Sequence, residues 1–122
     1  MIEIKLPLSV YIGKKKHSLS MNVYRNLHYR SLSKIKKDYD GLLSFDAFKA
    51  DKIRVNYDVY FKDKRKRDVM NFVSVADKFF LDCLVKRGCI PDDNYNIVSY
   101  GPIEFMGYAE ENYIIARVEV IE

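Results

Sequence analysis

The sequence predicts an α+β fold: a single domain (1–122) in which a mixed β-sheet carries two main helices on one face. Three observations predict it. Ile53, Val55, Tyr57, Val59 and Phe61 alternate without a miss against Arg54, Asn56 and Asp58, the signature of a half-buried strand. Residues 69–86 repeat apolar side chains at helical spacing. The chain has 122 residues and no repeat or low-complexity linker, which suits one domain and is short for two.

Taken in order, Ile2, Ile4, Leu6 and Leu8 alternate with polar partners and predict a strand. Gly13 to His17, rich in lysine, reads as a basic loop. Residues 19–30 are aromatic and basic and fit no period cleanly. Leu32, Ile35, Tyr39 and Leu42/Leu43 recur at three-to-four spacing, so a first helix is expected over about 31–43. The strand at 53–61 follows, and then a second helix over 69–86. Asp68 stands at its start, as the cap or just before the first turn, where unpaired N–H groups favour a carboxylate. Lys86, Arg87 and Gly88 end it with cations and then a glycine. Residues 91–94 form a turn, 97–105 a strand interrupted at Gly101-Pro102, and Ile114, Ala116, Val118 and Val120 a last strand. The predicted order is β-α-β-α-β-β.

Composition narrows the setting. Hydrophobic residues make up 48% of the chain, enough for a packed core. The formal charge is +4, compatible with a polyanionic partner. Cys83 and Cys89, with no histidine near them, match neither a zinc site nor a disulfide framework and read as reduced thiols. The start MIEIKLPLSV has no basic leader followed by an apolar run, and no stretch reaches transmembrane length. A soluble, cytoplasmic protein of a bacterial or phage-infected cell is expected, with no membrane partner.

The chemistry centres on the second helix. Five cations fall within residues 62–67, and Asp68 follows at once. A basic run is usually a solvated surface turn. Here cations able to hold a phosphate stand beside a carboxylate able to hold a metal, an arrangement suited to phosphodiester chemistry. On a helical wheel, Phe72, Val73, Ala76, Phe79, Phe80, Cys83 and Leu84 gather on the core face. Asn71, Ser74, Lys78 and Asp82 gather on the other, with Asp77 at its margin. Asp92 and Asp93 lie on the turn beyond. The helix separates its ends by about 25 Å at 1.5 Å per residue. Asp68 therefore reaches Asp92 or Asp93 only across a dimer, or if residues 88–93 return along the helix. His17 and His28 have no partner at ligand spacing and read as ordinary loop histidines. Tyr24 and Tyr29, set among Arg25, His28 and Arg30, are candidates for stacking on bases, although aromatic side chains more often pack.

The segment KRKRDVMNFVSVADKFFLDCLVKRGCIPDDNYNIV resembles the signature of RusA-type Holliday junction resolvases: a basic run, Asp-x-Asp-Asn, a helix with a lysine and a Leu-Asp-x-Leu-like end, then a loop with Asp-Asp. The likeness is good over residues 61–98 and weaker elsewhere. It implies a homodimeric α+β fold, magnesium, and paired nicks in four-way DNA junctions. Residue by residue it implies Asp68, Lys78 and Asp93 as the catalytic group, and Asp68, Asp92 and Asp93 as metal ligands. Asn71 matches the family's asparagine. Lys14, Lys15, Lys16, Asn22, Arg25, Asn71, Lys64, Arg65, Lys66 and Arg67 are the expected DNA contacts. Two departures stand out. Met70 occupies the place of the second aspartate, and a thioether is a poor magnesium ligand. The helix is also longer by about one turn. Asp77, beside Lys78, is the candidate replacement ligand. The alternative is a weakened or inactive site on a branched-DNA-binding protein.

Overall fold

The computed structural model describes residues 1–122, apart from the side chain of Ile12. In chain order the elements are strands β1 (Ile2–Pro7), β2 (Ser9–Ile12) and β3 (Lys15–Ser18), helices α1 (Met21–Asn26) and α2 (Tyr29–Leu42), strand β4 (Ile53–Phe61), helix α3 (Val69–Lys86), and strands β5 (Val98–Tyr108) and β6 (Tyr113–Val120). The strand at 53–61 and the helix at 69–86 match the sequence reading to the residue.

The main sheet has the order β1-β6-β4-β5. Strand β6 runs antiparallel to β1 and to β4, whereas β5 runs parallel to β4, so the sheet is mixed. A parallel neighbour requires a crossover, and α3 supplies it. Alternation then sorts the side chains. Ile4, Leu6, Val55, Tyr57, Val59, Ile114, Ala116 and Val118 are buried on the helix-covered face. Arg54 is exposed on the other, where Arg117 pairs with Asp58 at 3.1 Å. Helix α3 buries every side chain the wheel assigned to the core, and Val75 and Leu81 besides. Helix α2 adds Ile35 and Tyr39, whose ring meets Phe79 edge-on. Phe80 is fully buried, so Phe80→Ala is expected to cost about 3–5 kcal/mol.

Two segments depart from the sequence reading. The supposed basic loop at 13–17 is half of a hairpin, in which Ser9–Ser18 and Ile12–Lys15 register across a tight turn. Gly13 takes φ 62° there, a conformation that costs glycine little. Polar side chains on β3 hid the strand, while Leu8, Val10 and Leu19 on and beside the hairpin turn inward. The ambiguous stretch after it contains the short α1, whose first turn Ser20 caps through Val23 N at 3.3 Å. His28 then caps α2 and starts it at Tyr29, ahead of the expected Ser31, through Arg30 N at 3.3 Å. The interruption at Gly101-Pro102 proves to be a bulge within a continuous β5: Val55 faces Tyr100, but Tyr57 faces Ile103. A Cβ at Gly101 would fall 1.7 Å from Asn56 Oδ1, so any larger residue there would displace the Asn56 side chain.

Candidate functional site

Helix α3 sets the geometry. Asp68 is its cap, accepting from Met70 N at 3.0 Å. At the far end Arg87 N and Gly88 N close on Cys83 O and Val85 O, with Gly88 at φ 75°. Beyond it Cys89 N returns to Leu84 O at 2.8 Å and Ala50 N bonds to Cys89 O, which turns the chain back along the helix. The return brings Asp93 close enough to act electrostatically on both Asp77 and Lys78. Asp68, at the start of the helix, lies about 13 Å before Asp77 along the helix axis.

Asp77 is the distinctive group. Its Oδ1 accepts from the Tyr57 hydroxyl, and its Oδ2 accepts from the Tyr100 hydroxyl at 2.6 Å. The two tyrosines come from the adjacent parallel strands β4 and β5, with ring centres 6.5 Å apart. Burial raises the Asp77 carboxyl above the usual carboxylate range, the two hydroxyls pull it down, and the charge of Asp93 raises it further. Both tyrosine hydroxyls are in turn pushed up, chiefly by burial. Lys78 is exposed, and its ammonium lies 5.3 Å from the centre of the Tyr24 ring. Tyr24, Asp82 and Asp93 all favour its charged form.

Around this centre the remaining candidates divide. Asp92 is folded into its own turn, accepting from Asp93 N at 2.7 Å and Asn94 Nδ2 at 3.0 Å; the backbone bond in particular lowers its carboxyl. Asn71 holds α1 against α3 by accepting from Met21 N at 3.2 Å. That contact places Asn22 and Arg25, both exposed on α1, on the Lys78 side of α3. Lys64, Arg65 and Lys66 are exposed. Arg67 is turned inward: its side chain is 9% exposed and paired with Asp63 at 2.9 Å. It is therefore engaged with the protein. Lys14, Lys15 and Lys16 are exposed on the hairpin, and Lys16 shares one groove with Lys62 and Lys37.

No protein-family model matches the chain, and no curated protein matches it. Its chemistry is read from its own side chains.

Those side chains set two carboxylates, Asp77 and Asp93, within electrostatic range of each other and of one ammonium, Lys78. Oxygen donors of this kind fit magnesium, which takes one or two carboxylates and keeps several waters. The negative charge of Asp93 adds to the burial that raises the Asp77 carboxyl, and a bound cation would offset both. No group of three histidine, cysteine, aspartate or glutamate side chains able to hold a metal occurs among the described residues. Among them, too, no helix is long and apolar enough to cross a membrane. Sequence reasoning missed Tyr57 and Tyr100 as partners of the acid. Tyr57 did carry a signal, because a tyrosine at a core position of a strand needs a partner for its hydroxyl.

Proposed function

We propose that this chain is a RusA-like, magnesium-dependent endonuclease that nicks four-way DNA junctions as a homodimer. The observation that carries the reading is the return of Asp93 to Asp77 and Lys78 on α3. That juxtaposition offers two acids and a cation on one side of α3, with Asp77 in place of the carboxylate missing at Met70, while the Asp68 that the resemblance also implies stands at the helix cap. Asp77 and Asp93 would hold magnesium, which when bound supplies an activated water and stabilises the leaving oxygen. Lys78 steadies charge on the phosphate. Lys64, Arg65 and Lys66, with Lys14–Lys16 and Arg25, hold the backbone. Asp68 contributes as the cap that fixes where α3 begins. A two-fold dimer presents two such centres to a junction of matching symmetry.

The second reading, a branched-DNA-binding protein without catalysis, is favoured by Met70 and by the missing third ligand. A labelled four-way junction incubated with and without magnesium separates the two. The nuclease reading expects magnesium-dependent nicks that Asp77→Asn and Asp93→Asn abolish while junction binding persists. Binding without nicks, in wild type and in Met70→Asp alike, would leave the binding protein.

A further inference from the structure

Three elements of one crossover each give one group to the same hydrogen-bonded unit: Tyr57 from β4, Asp77 from α3 and Tyr100 from β5. A free aspartate carboxylate turns easily, because its terminal torsion is broad. Here the two hydroxyls engage different oxygens, which fixes the plane of the group. Each oxygen accepts one bond and keeps a further lone-pair direction for another partner. The Tyr57 side chain is fully buried, so its hydroxyl cannot turn to water instead. Tyr100 is exposed on the edge strand and closes the unit from outside. The neighbouring ionisable groups are Asp93 from the returning loop and Lys78 from α3 itself.

We infer that Tyr57 and Tyr100 are positioning residues for the magnesium ion of the proposed site, acting through the orientation of the Asp77 carboxylate. The inference rests on the nuclease reading for its cation. Outer partners of this kind orient ligating carboxylates and tune metal affinity. They also account for a working acid at residue 77 in a chain that carries Met70. Helix α3 brings the carboxylate to the sheet, and the sheet supplies the two donors that hold it. The arrangement asks nothing of the exposed Met70 or of the cap Asp68.

The test is a magnesium titration of the full chain followed by backbone amide resonances near residues 77 and 93, in wild type and in Tyr100→Phe. Tyr100→Phe is expected to leave metal-free junction binding unchanged, to lower the thermal midpoint by a few degrees for the lost hydrogen bond, and to weaken magnesium binding about tenfold. Nicking should then recover as magnesium is raised, so the half-saturating magnesium concentration changes and the maximal rate does not. Tyr57→Phe should act in the same direction, with a lower melting point as well. Equal magnesium affinity in wild type and Tyr100→Phe would overturn the inference, as would a wild type whose resonances near 77 and 93 ignore magnesium. The two readings fail separately. Weakened magnesium binding in a chain that nicks no branched DNA keeps the positioning role and removes the nuclease. Nicking abolished by Asp77→Asn yet indifferent to Tyr100→Phe keeps the nuclease and removes the positioning role.

Discussion

Arg67 Nη1 stands 2.9 Å from Asp63 Oδ1, while its guanidinium carbon lies 4.9 Å from the centre of the Phe61 ring. The cation that ends the basic run therefore ties the loop before α3 to the end of β4. Arg67→Ala is expected to destabilise the fold by about 1–2 kcal/mol through the lost packing and ion pair. It should leave the salt dependence of DNA binding unchanged, whereas Lys66→Ala should do the reverse. Arg67, ahead of the Arg65 amide, also holds the Asp63 carboxyl down to about 2. A carboxyl lowered in the folded state adds stability above its unfolded value of 3.8, and that stability is lost as pH falls towards 2. In Arg67→Ala the Asp63 titration, followed by NMR, should move back towards 3.8.

Asp77→Asn separates function from stability. In the metal-free protein the Asp77 carboxyl is raised, so the folded state binds the proton more tightly than the unfolded chain does. Its ionisation therefore lowers stability as pH rises from the unfolded value of 3.8 through the folded one. An amide keeps both tyrosine contacts, accepting from one hydroxyl and donating to the other. Calorimetry at pH 7 should find Asp77→Asn at least as stable as wild type. Any advantage should vanish below pH 4, about where the unfolded carboxyl takes up its proton. A marked loss of stability at pH 7 would show that the charge is structurally required.

Junction binding should fall steeply with salt. Each neutralised phosphate contributes a slope of about −0.9 in log affinity against log salt. Replacing Lys64 and Lys66 together by alanine should flatten the line by about two phosphates' worth. Equal affinity for a junction and a linear duplex would remove the case for branched DNA.

Sedimentation at micromolar concentration should give twice the 14.4 kDa chain mass. The edge strand β5 exposes Phe105, Met106 and Tyr108, an apolar strip in need of a cover. Tyr108→Lys should shift the protein towards monomer without altering its fold. A wild type that stays monomeric argues against symmetric cleavage.

Periodicity made β4, β6 and α3 legible because each buries one face against the same core, and a buried face writes its period into the chain. The hairpin was not legible: β3 turns no apolar side chain inward, and its polar residues look like any basic loop. The site was legible in part. Asp77 and Lys78 stood out by type and by position on or beside the polar face of the wheel, and Asp93 by its place on the turn beyond. That Asp93 returns to Asp77 depends on the turn at Gly88 and on the bond between Ala50 and Cys89, which joins segments far apart in sequence. The inward turn of Arg67 likewise depends on Phe61 and Asp63 meeting in space. Local spacing carries no trace of either contact.

The parallel pairing of β4 with β5 has a kinetic side. Neither strand can pair with the other until the chain between them has passed over the sheet, a non-local contact of the kind that costs loop closure before it is rewarded. The hydroxyls that meet Asp77 come one from each of these strands. A partly folded chain, with α3 formed but β5 undocked, holds one donor and lacks the other. The hydrogen-bonded setting of Asp77 is thus complete only when the parallel pair is complete.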